Sequence, residues 1–385
     1  MSFASRITRT PRAFEPDHGR EILKLLPALP GEAATLIEGT AGSSPYLAGL
    51  IQIEAEWLED MIGGEPETVR DGLLDAAQAA EDRDLPVALR RLKRRMALLT
   101  ALADLGGVWS LEEVTGALTV LADLATDRAM KAAVAAEIRR GKLPGQADED
   151  VAVAGGLTAL AMGKMGAFEL NYSSDIDLIC LFDETRFEPE DYAAARTSFV
   201  RAVRKMCQTL GERTADGYVF RTDLRLRPDP SVTPVAMSME AAERYYESLG
   251  RTWERAAYIK ARAAAGDLQA GQRFIEALRP FIWRRHLDFA AIQDAHDMRL
   301  RIRAHKALGG ALRLEGHDVK LGSGGIREIE FFTQTRQIIA GGRDPELRQR
   351  GTVEALHALS AKGWTEEAEP LIENYRVLRT VEHRL

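Results

Sequence analysis

Cysteine is scarce in this chain, whose 385 residues include two, Cys180 and Cys207. So small a number excludes the disulfide framework of small secreted domains and makes a reducing cytoplasm the default compartment. The chain also lacks a run of about 18 apolar residues, so no transmembrane helix is predicted. The N-terminus, MSFASRITRTPRAFEPDHGR, lacks the apolar core of a signal peptide. We therefore expect a cytoplasmic protein without a membrane partner.

An excess of positive charge is missing as well. The chain has 51 lysines and arginines against 58 acidic residues, a net charge of −7 at pH 7. This balance argues against nucleic acid as a partner bound by bulk electrostatics. Apolar residues make up 45% and charged residues 28%, as is typical of globular proteins. A chain of this length has room for two or three domains.

Helical periodicity dominates both ends of the chain. Residues 85 to 105 carry apolar side chains three and four positions apart, which predicts a helix that ends at Gly106-Gly107. Ser110 and Glu113 form a capping box, which predicts the start of the next helix. After Ser238 the pattern predicts helices again, apart from a glycine-rich break at 321–328. The last residues, NYRVLRTVEHRL, end in mid-helix without a helix C-cap, so we expect the C-terminal helical region to be truncated.

Strand patterns occupy the middle of the chain. LTALAM (157–162) and IDLICLF (176–182) have the length and composition of buried strands. A long amphipathic helix is predicted over 188–212. GYVFRTDLRLRP (217–228) alternates between charged and apolar residues, which predicts a strand with one charged face. The whole pattern predicts a mostly helical α+β fold, with a small α+β unit flanked by helical regions.

Two carboxylates, Asp175 and Asp177, stand one residue apart where the second strand begins. Side chains alternate along a strand, so both are expected on the same side. Carboxylates so close together repel each other, and both stay ionised when a cation joins them. Mg²⁺ and Mn²⁺ prefer such oxygen ligands. For an isolated Asp-x-Asp the ordinary alternative, two solvated acids at a strand start, is favoured.

A third carboxylate, Asp223, favours the metal site. It lies on the charged face of a later predicted strand, together with Arg225 and Arg227. A third carboxylate on a neighbouring strand is what a two-metal phosphoryl-transfer site needs. Guanidinium groups beside it would bind phosphate oxygens. The alternative is an exposed edge strand on which the arginines form structural ion pairs.

Two further features lie near the paired carboxylates. Gly163 and Lys164 follow the first strand, where a glycine lets a phosphate approach backbone N–H groups. The stretch is not a Walker A loop, because Met165 follows the lysine. Ser173 and Ser174 are small donors directly before Asp175, although a serine pair is also ordinary turn chemistry.

These features together resemble the layout of the polymerase-β-like nucleotidyltransferase fold: a strand, a glycine, a loop, a strand with Asp-x-Asp and a later strand with Asp. We therefore expect residues 108–275 to form a nucleotidyltransferase domain. Residues 1–107 are expected to form an N-terminal helical region, and residues 276–385 a C-terminal helical domain or bundle. The residues alone thus indicate metal-dependent nucleotidyl transfer.

Four longer stretches resemble the glutamine synthetase adenylyltransferase family, whose members are bifunctional enzymes with two nucleotidyltransferase halves. The stretches are GKMGAFELNYSSDIDLICLFD (163–183), VFRTDLRLRP (219–228), RTWERAAYIKARAAAGD (251–267) and GGIREIEFFTQTRQIIAGGRDP (324–345). The form LNYSSDIDL, followed later by GGIREIEF, resembles the N-terminal half of these enzymes. In the family that half is the adenylyl-removing one.

This resemblance implies a reaction and its participants. Phosphate would attack the phosphodiester that joins AMP to a tyrosine of adenylylated glutamine synthetase, giving ADP and the free tyrosine. The implied cofactor is Mg²⁺ or Mn²⁺, held by Asp175, Asp177 and Asp223, the three predicted catalytic residues. The predicted ligands of the nucleotide or the phosphate are Gly163, Lys164, Ser174, Arg225 and Arg227. The PII signal protein is a further partner that the family implies.

Two other functions stay open. One is adenylylation of glutamine synthetase with ATP as donor, because both halves of the family share the metal triad and a fold does not fix the direction of a reaction. The other is a docking or regulatory module that binds glutamine synthetase or PII with little activity of its own. The presence of all three carboxylates favours an enzyme.

Several other charged residues have plain explanations beside functional ones. Lys260 and Arg262 are predicted on a helix, where they reach the phosphates or form a solvated face. Glu328 and Glu330 follow the glycine-rich break, where the helix dipole favours acids. DMRLRIRAHK (297–306) places cations on a helix, which suits an acidic partner, although a solvated face is the better explanation.

Overall fold

The computed structural model describes residues 1–29, 31–285 and 315–384. These residues form two compact units, each built from separate stretches of the chain. The first unit comprises Met1–Ala132, Leu170–Ser174 and Lys205–Arg221, and the second Ala133–Glu169, Asp175–Arg204 and Thr222–Leu385. The stretch DMRLRIRAHK and its surroundings lie outside the described residues. The domain boundaries proposed after residues 107 and 275 stay predictions.

Helices make up most of the first unit. They are α1 (Pro16–Leu23), α2 (Gly31–Ala41), α3 (Pro45–Ile53), α4 (Ala55–Gly63), α5 (Pro66–Gln78), α6 (Leu85–Leu105) and α7 (Leu111–Arg139), the last of which continues into the second unit. The bounds of α6 match the sequence prediction. Its predicted apolar face is buried, and the members of that face are Leu89, Leu92, Met96, Leu99 and Leu102.

Local chemistry explains where α7 begins. The Ser110 backbone N–H donates to Glu113 Oε2 at 2.6 Å, and the Glu113 N–H donates to Ser110 Oγ at 3.3 Å. This reciprocal pair satisfies donors that the first helical turn would otherwise leave without a partner. The capping box predicted from the sequence is therefore confirmed.

A mixed sheet forms the centre of the second unit. Its strands are β1 (Leu157–Ala161), β2 (Ile176–Phe182), β3 (Thr222–Asp223), β4 (Ala236–Ser238) and β5 (Arg262–Gly266). β1 pairs antiparallel with β2 on one side and with β5 on the other. β3 and β4 both pair parallel with β2, β3 where β2 begins and β4 where it ends. The two strands predicted at 157–162 and 176–182 are confirmed.

Helices cover the sheet, which explains why β1 and β2 read as nearly continuous apolar runs. In chain order the second unit has α8 (Gly163–Gly166), α9 (Tyr192–Gly211, which ends in the first unit), α10 (Met239–Ser248), α11 (Thr252–Tyr258), α12 (Leu268–Ala277), α13 (Arg279–Ile282), α14 (Ile326–Ala340), α15 (Thr352–Ala361) and α16 (Ala368–Arg384). Leu160 and Ile179 of the sheet share one core with Tyr246 and Phe274. Phe182 stacks on Phe199 of α9 with 4.9 Å between ring centroids.

The last three helices have a core of their own. Ile326 and Ile329 of α14 pack with Leu356 of α15 and with Ile372 and Tyr375 of α16. Helices therefore dominate both units around one small sheet, and the predicted fold class, a mostly helical α+β protein, is confirmed. Every helix of the described residues is too short or too polar to cross a bilayer.

Two secondary-structure predictions were wrong. The strand predicted over 217–228 is reduced to Thr222–Asp223, because the Asp223 carboxylate accepts the Arg225 N–H at 2.8 Å and turns the chain. The all-helical prediction after Ser238 fails at Arg262–Gly266, which forms β5. Alanines favour a helix, but pairing with the buried β1 overrides that preference here.

Candidate active site

Asp177 and Asp223 lie side by side in the sheet. The parallel register of β2 and β3 pairs Ile176 with Thr222 and Asp177 with Asp223. Neighbouring strands are about 4.8 Å apart, so the register brings one carboxylate from each strand to the same place. Asp175 stands just before β2 and is exposed. The three predicted catalytic residues thus lie at the edge of the sheet where β2 begins.

The charges of these carboxylates affect one another. The pKa of Asp177 is raised to about 6 by burial, then by the negative charges of Asp223 and Asp175, while Arg327 and Arg225 act in the opposite direction. A raised pKa from like charges means that the group gains from a nearby cation. Asp177 is therefore a carboxylate whose surroundings favour either a proton or a positive charge.

Asp223 already has a cation. Arg225 donates from Nε to both of its carboxylate oxygens, at 3.0 Å and 2.9 Å. These hydrogen bonds lower the pKa of Asp223, against a smaller opposing effect of burial. The Arg225 side chain is 84% exposed, so it can leave Asp223 at little cost. The predicted proximity of Arg225 and Asp223 comes from a turn and not from strand alternation.

Gly163 brings the backbone close to Asp177. It has a φ of +53°, and a Cβ added there would stand 3.0 Å from Asp177 Oδ2. The preceding residue, Met162, donates its N–H to the Asp177 carbonyl at 2.9 Å. A side chain at position 163 would therefore be strained and would crowd the carboxylate. The sequence predicted a glycine here for the approach of a phosphate to the backbone, and that role stays a prediction.

Lys164 points to a different carboxylate. Its Nζ donates to both oxygens of Glu382 at 2.7 Å. Burial and then the charge of Arg379 lower the pKa of Lys164 to about 8, although Glu382 acts to raise it. The predicted phosphate ligand is thus paired with a residue of α16 that the sequence did not suggest.

Two further predicted ligands form hydrogen bonds to nearby backbone atoms. Arg227 donates to the backbone carbonyls of Leu224, Pro230 and Thr233, and so holds its own turn together. Ser174 belongs to the first unit, where its N–H donates to the Asn171 carbonyl at 3.4 Å. All of these Arg227 hydrogen bonds go to backbone carbonyls, and none of them goes to Asp175, Asp177 or Asp223.

Sequence reasoning missed a buried ion cluster behind the Gly163-Lys164 turn. Lys260 Nζ lies 2.7 Å from Glu169 Oε2 and 2.8 Å from Glu330 Oε1. The other Glu169 oxygen accepts the Thr352 N–H at 2.9 Å. Lys260 was predicted on a helix, but α11 ends at Tyr258. The helix dipole was the expected reason for an acid at Glu330, yet Glu330 is 6% exposed and ion-paired with Lys260.

Arg262 supports the same turn. It was also predicted on a helix but begins β5, and it is 9% exposed. Its Nη2 donates to the Met165 carbonyl at 3.1 Å, and its guanidinium lies 4.1 Å from the centre of the Phe168 ring. The signal in the sequence was the mixed motif YIKAR, in which two cations interrupt an otherwise apolar stretch.

The donor atoms at the sheet edge are hard oxygens, which suit Mg²⁺ or Mn²⁺ and no soft metal. Repulsion between Asp177 and its two acidic neighbours gives a cation a reason to bind there. Within the described part of the chain, no three His, Cys, Asp or Glu side chains are grouped closely enough to enclose a metal ion. In this arrangement the Arg225 guanidinium supplies the positive charge at Asp223.

Comparison with known proteins gives matches over nearly the whole chain. Residues 35–277 match the family model of glutamate-ammonia ligase adenylyltransferase. Residues 296–385 match that of the GlnD PII-uridylyltransferase. The first match covers the sheet, the three aspartates and the Gly163-Lys164 turn.

Curated relatives carry the name bifunctional glutamine synthetase adenylyltransferase/adenylyl-removing enzyme. One from Caulobacter vibrioides is 46% identical over 99% of this chain and 40% of its own length. One from a Bradyrhizobium species is 48% identical over 92% of this chain and 37% of its own length. One from Xanthobacter autotrophicus is 49% identical over 90% of this chain and 36% of its own length. This chain therefore spans about two fifths of the length of such relatives, and it belongs to the glutamate-ammonia ligase adenylyltransferase family.

Proposed function

We propose that this chain removes AMP from the adenylyl-tyrosine of glutamine synthetase by phosphorolysis. The observation that carries the proposal is the register pairing of Asp177 with Asp223, next to Asp175 and the Gly163 backbone. The relatives' name includes an adenylyl-removing enzyme, and the motif LNYSSDIDL resembles the half of the family to which that activity belongs. Transfer of the AMP group to phosphate would return glutamine synthetase to its unmodified form and so control nitrogen assimilation.

The proposed reaction is an in-line displacement at one phosphorus atom. An oxygen of hydrogen phosphate attacks the AMP phosphorus, and the bond from that phosphorus to the tyrosine oxygen breaks. The products are ADP and a tyrosine whose oxygen takes up the proton that the phosphate carried. Phosphate is already a nucleophile, so no strong general base is needed. The protein's contribution is positioning and neutralisation of charge.

The proposed roles follow from where the residues lie. Asp175, Asp177 and Asp223 would hold Mg²⁺ or Mn²⁺, which when bound supplies positive charge to the attacking and leaving oxygens. Arg225 would leave Asp223 for a phosphate oxygen, because it is exposed and its fork geometry suits both partners. Gly163 offers its backbone N–H, and Lys164, Ser174 and Arg227 stay proposed ligands of the nucleotide or phosphate.

The test is an assay of ADP release. The chain is mixed with adenylylated glutamine synthetase, inorganic phosphate and Mg²⁺, and ADP is followed for the parent and for Asp175→Asn. The proposal is supported if the parent releases ADP and if this release is lost both in Asp175→Asn and after the metal is chelated. Glu190→Gln is the matched control, because it removes one exposed negative charge of the same unit. An inactive parent that still binds glutamine synthetase would favour the docking module instead.

Adenylylation with ATP is the second candidate. The relatives' name includes an adenylyltransferase as well as an adenylyl-removing enzyme, and a shared site does not fix the direction. Incubating the chain with labelled ATP and unmodified glutamine synthetase decides between the two reactions. Transfer of label to glutamine synthetase in the absence of phosphate would favour adenylylation over phosphorolysis. The match of residues 296–385 to a PII-uridylyltransferase model supports the PII signal protein as a further proposed partner.

A further inference from the structure

A β-bulge in β5 determines the face of the sheet on which Arg262 lies. The register of β5 with β1 shifts by one residue between Ala159 and Leu160, which leaves Ala264 as an extra residue on β5. Beyond this shift Arg262 stands opposite Ala161, and residues directly opposite each other in a sheet share a face. A slip of one residue moves a side chain to the other face. The bulge therefore brings Arg262 to the face of Ala161, as bulges near functional sites often re-aim a side chain.

From this position Arg262 contacts the Gly163-Lys164 turn at two points. Its Nη2 donates to the Met165 carbonyl at 3.1 Å, and its guanidinium lies 4.1 Å from the centre of the Phe168 ring. Met165 belongs to α8, and Phe168 lies two residues after the end of that helix. A guanidinium over an aromatic ring attracts it, and the attraction is stronger when the cation is buried, as it is here. One side chain of β5 thus holds both α8 and the residues that follow it.

The turn also rests directly on the backbone beside β5. A Cβ added at Gly166 would be 2.0 Å from the Lys260 carbonyl oxygen and 2.7 Å from that of Ala161, so only glycine allows this approach. Lys260 Nζ lies 2.7 Å from Glu169 Oε2, and the Glu169 N–H donates to the Lys164 carbonyl at 2.8 Å. The segment that leads into β5 therefore fixes the turn through its backbone and through its two cations.

The same turn carries the backbone that adjoins Asp177. The Met162 N–H donates to the Asp177 carbonyl at 2.9 Å, and a Cβ added at Gly163 would stand 3.0 Å from Asp177 Oδ2. Inside the turn, the Gly166 N–H donates to the Met162 carbonyl at 3.0 Å and the Ala167 N–H donates to the Gly163 carbonyl at 3.2 Å. Because these hydrogen bonds join the two ends of the turn, a displacement near Met165 would change the position of Gly163 relative to Asp177.

We propose that Arg262 is a positioning residue for the displacement: it holds the Gly163-Lys164 turn so that the Gly163 backbone stays against Asp177. The inference rests on the proposed function and adds to it a residue that acts through the turn. A misplacement of about 1 Å in an active site can cost about a hundredfold in rate. A turn that is held less firmly should therefore slow the reaction without weakening the binding of glutamine synthetase.

Hydrogen exchange measures the hold on the turn without any activity. Amide exchange of the full chain is followed by mass spectrometry for the parent, Arg262→Met and Arg262→Lys. Arg262→Met removes a charged donor, so peptides over 162–168 should exchange about tenfold faster or more, while peptides over β2 should not change. Arg262→Lys keeps a cation that can donate to the Met165 carbonyl, so it should restore part of the protection. Arg244→Gln removes an exposed arginine of the same unit and is the matched control.

Steady-state kinetics test the effect on the reaction. In Arg262→Met the kcat for ADP release is expected to fall about 10- to 100-fold, while the KM for adenylylated glutamine synthetase stays unchanged. Arg262→Lys should recover part of the kcat. Gly166→Ala leaves Arg262 in place but pushes the turn away from the Lys260 carbonyl, so it should give the same fall in kcat. If Arg262→Met does not fold, Arg262→Lys and Gly166→Ala carry the same comparison.

The outcomes separate this inference from the proposed function. Equal exchange over 162–168 in the parent and in Arg262→Met overturns the hold on the turn. Faster exchange throughout the second unit overturns it as well, because Arg262 would then stabilise the whole unit. Faster exchange of the turn alone, with kcat unchanged, overturns the positioning role and leaves the proposed function intact. A parent that releases no ADP removes the proposed function, and the exchange measurement then decides by itself whether Arg262 holds the turn.

Discussion

Asp177 and Asp223 face each other in register on two parallel strands, and their pKa values shift in opposite directions. The pKa of Asp177 is raised to about 6 by burial and by its acidic neighbours, whereas hydrogen bonds from Arg225 lower the pKa of Asp223. Asp223 is thus paired with the Arg225 cation, whereas Asp177 is subject to repulsion from Asp223 and Asp175. Two neighbouring carboxylates whose pKa values are shifted apart are typical of functional sites.

Asp177→Asn should lower the rate of ADP release without lowering the stability of the fold. Loss of this carboxylate is expected to lower the rate of ADP release by about 100-fold or more, as for removal of a charge-stabilising group. The same substitution removes repulsion from Asp223 and Asp175, so thermal stability should stay equal or rise. The measurements are the steady-state rate and the melting temperature, with Glu190→Gln as control. A variant that loses both activity and stability would show that Asp177 is structural.

Buried elements of both units were predictable because their signals are local. β1 and β2 are short apolar runs that a buried strand requires, and α6 carries an unbroken apolar face. The same locality made the Asp-x-Asp pair and its strand visible. Gly163 was predicted as a point where a phosphate approaches the backbone, which stays a prediction, whereas its closeness to Asp177 Oδ2 was not foreseen.

Long-range contacts were not predictable from one sequence. Lys164 and Glu382 are 218 positions apart, and Lys260 and Glu330 are 70 apart. No periodicity links residues so distant, so neither pair could be recognised from the sequence. β5 was missed for the same reason, because its alanines form a strand only where β1 is there to pair with them.

Lys260 and Glu330 are expected to show strong energetic coupling. Lys260→Met leaves the buried carboxylates of Glu169 and Glu330 without their main cation, which should cost about 3–5 kcal/mol of unfolding free energy. Glu330→Gln should cost less, because Lys260 keeps Glu169. In the double variant the loss should be smaller than the sum of the two by at least about 1 kcal/mol. Chemical denaturation of the four proteins measures this, and additive losses would contradict a shared cluster.

Acid should destabilise the protein partly through Glu330. Burial alone would raise the pKa of Glu330, but the charges of Lys260 and Arg327 outweigh it and lower that pKa to about 2. A carboxyl group with a lowered folded-state pKa stabilises the fold above its unfolded pKa of about 4.3, and this stabilisation is lost as the pH falls toward 2.

Unfolding free energies measured between pH 5 and pH 2 check this expectation. The unfolding free energy should decline less steeply with falling pH in Glu330→Gln than in the parent. The difference in slope is at most about 1.4 kcal/mol per pH unit, which is the contribution of one proton. Glu373→Gln changes an exposed acid and should leave the slope as it is. Equal slopes for the parent and Glu330→Gln would mean that Glu330 has no lowered pKa.

Lys93 in the first unit should make the folded protein more stable at alkaline pH than at pH 7. Its Nζ lies 4.1 Å from the centre of the Phe220 ring and 3.5 Å from the Tyr172 carbonyl, and among the described residues it has no ion pair with a carboxylate. Burial, and then the charge of Arg221, lower the pKa of Lys93 to about 8. The unfolded chain, with a pKa of about 10.4 for lysine, therefore binds more protons between these two values.

Stability should consequently rise as the pH increases from about 8 to about 10, because the folded protein no longer carries the unfavourable charge. Lys93→Met removes that charge at every pH, so it should raise the melting temperature at pH 7 and abolish the rise at higher pH. Thermal melts from pH 7 to pH 10 measure both effects, with Lys24→Met, an exposed lysine of the same unit, as control. A lower melting temperature for Lys93→Met at pH 7 would show that the contact of the ammonium group with the Phe220 ring outweighs the cost of its burial.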